Sequence, residues 1–328
     1  MADDQLPPPA AAQAPLAPFK GAEPPAPDWF KWALAQQPER SLVPVDGANI
    51  ELLTWGERGK PGLLLIHGNS ANADWWSFIA PYLALDYRVA AISLAGMGGS
   101  DWRETYSFLG FAHEARAGAE AAGLYEAPEK PVFIGHSFGG AQVLHAAIRF
   151  PEWMKAAILV DSGFGPPPAS EGFRMPQMRS QPNRIYPTLA EALARFRFMP
   201  PQGCKNLYIA DYIARRSLKQ VPVEGGEMGW TWRFDPFLWS KLDHGVMGGL
   251  FDDIVLTTPT VHIYGDNSEI IRMHHRSGPR RLPAHVKDIV IPDSEHHIMV
   301  DQPIALITAL RSVLTLWPRP IDHVRARP

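Results

Sequence analysis

Five residues, Gly135-His136-Ser137-Phe138-Gly139, constrain this chain more than any other stretch. They carry the spacing G-x-S-x-G, and the residues around them supply the context that this spacing demands. Residues 131–134 form a short apolar run with β-branched and aromatic members, which predicts a buried strand; residues 140–149 predict a helix that begins at once. A strand that turns into a helix within two residues holds its central residue at strained backbone angles, and a Cβ on either side would collide with the turn. The turn thrusts the Ser137 hydroxyl above the sheet. It also leaves the Phe138 N–H at a helix N-terminus, where the dipole favours developing negative charge.

The rest of the chain reads as strands and helices in alternation. Residues 41–45 and 50–55, separated by Asp46-Gly47, predict a hairpin. Residues 62–67, 88–94, 131–134 and 156–161 are continuous apolar runs, which suit strands buried on both faces. Helices are predicted over 75–85, 111–123 and 140–149 between them, so the sheet is mainly parallel and covered on both sides. From Ser162 to Asp252 this rhythm stops: helix-like segments at 189–198 and 206–217 stand among proline-rich stretches, followed by the aromatic run 229–239. It resumes with strands at 260–264 and 287–291 and a helix at 303–316. An insertion after the sixth core strand lies above the carboxyl ends of the strands, where ligands bind in open α/β sheets, and is expected to be a cap.

Composition excludes several classes. The formal net charge of −3 and the absence of a Lys/Arg run argue against nucleic acid and anionic membranes as partners. No run of eighteen apolar residues exists to span a membrane. One cysteine, Cys204, permits no intrachain disulfide and makes a reducing, cytoplasmic setting the default. Residues 1–27 hold eight prolines and an acidic Asp3-Asp4, unlike a signal peptide, and are expected to be a disordered tail; Asp28 is expected to cap a short helix over 29–35. Gly96-Met-Gly-Gly-Ser100 lacks the spacing of a nucleotide-binding loop, and His113-Glu114 lacks a second histidine at zinc-protease spacing, so no cofactor and no metal are expected.

His67-Gly68 after the third strand, Gly96-Met-Gly-Gly-Ser100 after the fourth, the elbow, and a late acid followed by histidine stand in an order that resembles the α/β-hydrolase fold family, in its lid-bearing branch of esterases, epoxide hydrolases, dehalogenases and carbon–carbon bond hydrolases. The likeness spans about residues 40–317. It implies a mainly parallel eight-stranded sheet flanked by helices, with a core over 28–162 and 253–317, a mostly helical cap over 163–252, and a C-terminal tail over 318–328. Where the family usually has aspartate ahead of Gly96, this chain has Ser93.

The resemblance also implies a site. Ser137 is the nucleophile, and counting back from Pro303 gives His296 as its base, with His297 one residue away as the alternative. As a metal-binding pair these two histidines lack a third ligand at helical spacing. The acid matches Glu269 after the seventh strand, with Asp161 at the end of the sixth and Asp266 as alternatives. The Asn69 and Phe138 N–H groups form the oxyanion hole, and the Asn69 side chain could add a third donor. Trp75, Trp76, Trp230 and Trp232 are candidates for the pocket wall. Dehalogenases and epoxide hydrolases need an aspartate where Ser137 stands. The expectation is therefore a cofactor-free, carboxylesterase-like serine hydrolase acting on a small or medium, partly apolar ester. A carbon–carbon bond hydrolase, a lactonase, or a non-catalytic ligand-binding protein is the alternative. Oligomeric state is not legible.

Overall fold

The computed structural model of the protein describes residues 14–163, 181–243, 254–276 and 282–317. Helix α1 (Asp28–Ala35) precedes β1 (Glu39–Val45) and β2 (Ala48–Trp55), and β3 (Gly62–Ile66) follows. Then come α2 (Ala80–Ala84), β4 (Arg88–Ile92), α3 (Phe108–Ala121), β5 (Val132–His136), α4 (Phe138–Arg149) and β6 (Ala156–Val160). Between β6 and the next core strand stand α5 (Leu189–Leu193), α6 (Leu207–Arg216), β7 (Leu218–Pro222), β8 (Met228–Trp232) and α7 (Leu238–Lys241). The chain closes with β9 (Thr260–Gly265), α8 (Glu269–Arg276), β10 (Lys287–Ile291), α9 (Ile298–Asp301) and α10 (Pro303–Leu316).

Eight strands form one sheet in the order β1-β2-β4-β3-β5-β6-β9-β10, with β2 antiparallel to both its neighbours and every other pairing parallel. The opening hairpin turns on Asp46 and Gly47, both at positive φ, as a two-residue turn between twisted strands requires. Alternation then sorts the core. Leu63, Leu65, Ile134, Ile158 and Val160 face one layer with Trp76 and Leu306, whereas Leu64, Ile66, Phe133, Ala157 and Leu159 face the other with α3 and α4. Fully burying each Leu or Ile contributes about 1.5–3 kcal/mol.

Several expectations shift. The single helix expected over 75–85 is a 3-10 turn at Ala73–Trp76 followed by the short α2. Pro81, which lacks an N–H, can only stand in a first turn, so the helix restarts there. Helix α3 begins three residues earlier than expected because Ser107 Oγ accepts from Gly110 N at 3.0 Å and caps it. Asp28 is no cap: Pro27 is the entry residue of α1, and the Asp28 carboxylate lies 3.6 Å from Lys31 Nζ. The tail expected over 1–27 is structured from residue 14: Leu16 is buried in the core, and the Gly21 carbonyl accepts from Arg215 Nη2 at 2.8 Å. A leucine among the prolines gives this segment an apolar anchor. Residues 1–13 and 318–328, and parts of the cap expected over 163–252, lie outside the described residues.

The described part of that insertion is not purely helical. β7 and β8 form an antiparallel hairpin that carries Trp230 and Trp232. It rests on loops at the carboxyl ends of β3 and β4: Asn72 Nδ2 donates to Ser217 Oγ at 3.1 Å, and Asp235 N donates to the Gly96 carbonyl at 2.7 Å. Those loops are held by an unforeseen carboxylate. Ser93 Oγ donates to Glu51 Oε2 at 2.6 Å and accepts from Ala73 N at 3.0 Å, while Gly99 N donates to the same Glu51 oxygen at 2.8 Å. Glu51 of β2 thus supplies the charge that Ser93 lacks.

Candidate active site

The site starts at the β5–α4 junction. Ser137 has φ 53° and ψ −116°, a conformation that a side-chain-bearing residue adopts only under constraint. Two glycines make it possible: a Cβ on Gly135 would stand 2.2 Å from the Gly139 carbonyl oxygen, and one on Gly139 2.4 Å from that of His67. Ser137 N donates to the Val160 carbonyl at 2.9 Å, tying the turn to the neighbouring strand.

Three strand ends then meet. His296, on the loop after β10, has Nε2 2.9 Å from Ser137 Oγ and Nδ1 2.7 Å from Asp161 Oδ1. Asp161, just past β6, is fully buried at φ 45°; its Oδ1 also accepts from Ser268 Oγ at 2.6 Å and its Oδ2 from Gly265 N at 2.9 Å. A carboxylate satisfied this way accepts the His296 Nδ1–H, which leaves the Nε2 lone pair aimed at the serine hydroxyl.

This pairing corrects the expected acid. Glu269 is half-exposed at the start of α8 and pairs with Arg276. Asp266 is exposed, and its Oδ1 accepts from Asn267 Nδ2 at 3.0 Å and from Ser294 N at 3.2 Å. The stretch after β9 gives His296 no carboxylate; it supplies two donors to Asp161, Gly265 N and Ser268 Oγ. His297 makes no hydrogen bond to Ser137; its ring lies 5.3 Å from that of Trp75 and 5.2 Å from that of Phe198. Burial and the neighbouring His296 hold its pKa well below the usual value.

His136 contributes as well. Its Nε2 donates to the His296 carbonyl at 3.0 Å, so the residue before the serine grips the loop that carries His296. Burial and His296 keep this imidazole neutral, well below its usual pKa. Nothing about a histidine inside G-x-S-x-G marked this role in the sequence. Gln202 of the insertion was missed too: its Oε1 accepts from His297 N at 2.8 Å, and its Nε2 lies 3.1 Å from both Asp301 oxygens.

Gly68 packs so closely on the elbow that a Cβ there would lie 3.3 Å from Ser137 Cβ. The Asn69 side-chain oxygen accepts from Trp239 Nε1 at 3.2 Å, and the Trp239 ring lies 5.4 Å from that of Phe138. Trp239 therefore touches both residues expected to form the oxyanion hole. Of the tryptophans named from the sequence, Trp76 is fully buried core, Trp75 packs on His297, and Trp230 and Trp232 are half-buried in the insertion, Trp232 against Phe196. The single cysteine, Cys204, is free, and burial raises its thiol pKa to about 12. No helix among the described residues is long and apolar enough to cross a membrane.

The model of the alpha/beta hydrolase family matches residues 63–310. Esterase Rv0045c of Mycobacterium tuberculosis is 26% identical over 279 residues, covering 82% of this chain and 88% of that protein. The crystal structure of that esterase superimposes with a TM-score of 0.59 at 23% identity, covering 96% of this chain and all of that one. The thioesterase domain from the curacin biosynthetic pathway superimposes with a TM-score of 0.62 at 24% identity, covering 84% and 99%. The chain belongs to the alpha/beta hydrolase family.

Proposed function

We propose that this member of the alpha/beta hydrolase family is a serine hydrolase that cleaves carboxylic esters through an acyl-enzyme on Ser137. The observation that carries the reading is the continuous chain from Ser137 Oγ through His296 to Asp161, with steps of 2.9 and 2.7 Å. An ester hydrolase is also what the relatedness to an esterase along most of both chains supports.

In this reading Ser137 Oγ attacks the ester carbonyl as His296 Nε2 takes its proton, and Asp161 stabilises the imidazolium so formed. The Phe138 and Asn69 N–H groups receive the oxyanion, each contributing on the order of 10²–10³ in rate. His296 then protonates the leaving alcohol. A water molecule, deprotonated by the same nitrogen, releases the acid and restores Ser137. The segment between β6 and β9 serves as the lid, and Trp239 with Phe138 offers an apolar wall, which suits a small or medium ester with an apolar portion.

Intact-protein mass after exposure to a fluorophosphonate tests the reading. Wild type should gain one adduct and Ser137→Ala none, and the labelled protein should lose turnover of p-nitrophenyl esters. Labelling that persists in Ser137→Ala would sink the assignment.

A further inference from the structure

Three imidazoles meet at this site, and the chemistry above uses one. The rings of His136, His296 and His297 lie pairwise 4.9, 5.4 and 4.9 Å apart between centroids. One nitrogen from each lies within 4.8 Å of the other two. All three residues are nearly fully buried, at 1%, 3% and 4% exposure.

Hydrogen bonding leaves ring nitrogens of this cluster without partners. His136 uses Nε2–H to reach the His296 carbonyl, so its Nδ1 is bare, and Nδ1 has no hydrogen-bond partner among the described residues. Gly68 leaves space beside that nitrogen, since a Cβ there would lie 3.0 Å from it. Neither ring nitrogen of His297 makes a well-formed hydrogen bond; the Met199 backbone exerts only a minor pull on the ring. Buried polar atoms are normally satisfied, so two such imidazoles flanking a third call for a ligand. A third ligand was absent at helical spacing because it comes from the end of β5 rather than from the His296-His297 segment.

We propose that His136, His296 and His297 form a binding site for a divalent first-row transition-metal ion, with zinc as its type, that reversibly shuts off the serine; the inhibitory half of this rests on His296 being the base. Neutral imidazole suits such ions, whereas calcium and magnesium prefer oxygen. Bonds of about 2.0–2.1 Å in tetrahedral array need nitrogens roughly 3.4 Å apart, so the rings must draw together by about an ångström. The His296 lone pair that completes the site is the Nε2 pair that would take the Ser137 proton. Metal and proton therefore compete for one electron pair.

Binding and inhibition are measured separately. Titration calorimetry of Ser137→Ala with zinc chloride should give one ion per chain, and adding His297→Phe, which keeps the aromatic contacts with Trp75 and Phe198, should weaken binding at least tenfold. His297→Gln should weaken it likewise, which covers the case of a Phe variant that fails to fold. Ester turnover by wild type should fall with zinc and return with EDTA. Scaled to its own zinc-free rate, His297→Phe should need at least ten times more zinc for half-inhibition. No binding to Ser137→Ala, or equal affinity with and without His297, overturns the site. Binding that stands in a protein without ester turnover would keep the site and sink the esterase reading instead.

Discussion

Ser268 Oγ stands 2.6 Å from Asp161 Oδ1, across 107 residues of sequence, and donates to the same oxygen that accepts the His296 Nδ1–H. The loop after β9 thus steers a carboxylate that belongs to β6. Ser268→Ala should lower kcat on a p-nitrophenyl ester by roughly 10- to 150-fold with little change in KM, since a hydrogen bond to a charged group contributes about 1.5–3 kcal/mol. Ser268→Thr should recover most of the loss. An unchanged kcat in Ser268→Ala would mean that the Gly265 N–H orients Asp161 by itself.

The two carboxylates at neighbouring strand ends should separate cleanly by mutation. Asp161→Asn is expected to reduce kcat by about 10⁴, because the amide offers the wrong partner to the His296 Nδ1–H. Glu269→Gln breaks only its pair with Arg276 and should leave turnover near wild type. Steady-state kinetics of the two variants decide, and the reverse order would move the acid to α8.

Trp239 reaches the site from the insertion. Trp239→Phe removes the 3.2 Å bond to the Asn69 side chain but keeps the ring beside Phe138. The expected result is a two- to tenfold fall in kcat/KM, in line with about 0.5–1.5 kcal/mol for one neutral hydrogen bond. Parallel kinetics on a short and a long acyl ester would show the same ratio for both if orientation of Asn69, rather than pocket volume, is at stake.

His67 should give the fold an acid limb. Its Nε2 accepts from Leu94 N at 3.0 Å and its Nδ1 donates to the Gly68 carbonyl at 2.7 Å, so only the neutral ring fits. Burial lowers its pKa from 6.5 to about 4. As pH falls, the unfolded chain binds this proton first. The stability carried by the neutral ring is therefore complete above about pH 6.5 and lost between about 6.5 and 4, at no more than about 1.4 kcal/mol per pH unit. Urea unfolding at pH 7, 6 and 5 should show a steeper decline for wild type than for His67→Gln; equal slopes would refute the assignment.

Restoring the family's usual aspartate at position 93 should harm this chain. Ser93→Asp would set a second carboxylate against Glu51, whose Oε2 already receives Ser93 Oγ at 2.6 Å. A loss of about 3–5 kcal/mol is expected for an unpaired buried charge, and Glu51→Ser in the same chain should recover part of it. Chemical unfolding of the single and double variants measures both.

Much of this was readable in residues. Unbroken apolar runs such as 62–66 and 156–160 admit only strands buried on both faces, and the glycines around Ser137 admit only the sharp turn. The acid was harder because sequence order says nothing about which of two adjacent strand ends turns its carboxylate inward: Val160 and Ile263 are partners in the sheet, so Asp161 and the residues after β9 are spatial neighbours. One signal did stand in the letters, a lone acid ending a wholly apolar strand. The hairpin of the insertion escaped because Gly225 and Gly226, both at positive φ, turn a strand pair too short and too polar on one side to show alternation. His136 escaped because its partner is a backbone carbonyl, which no sequence pattern marks.

The order of the site along the chain has a consequence for its birth. Ser137 precedes His296 by 159 residues, and β9 and β10 must join the sheet before the base can reach it. At a synthesis rate of about 5–20 residues per second, a nascent chain carries its serine for roughly 8–30 s with no group to take the proton. On the proposed mechanism, reactivity toward a fluorophosphonate would report completion of the last two strands, and every shorter intermediate on the ribosome would be chemically silent.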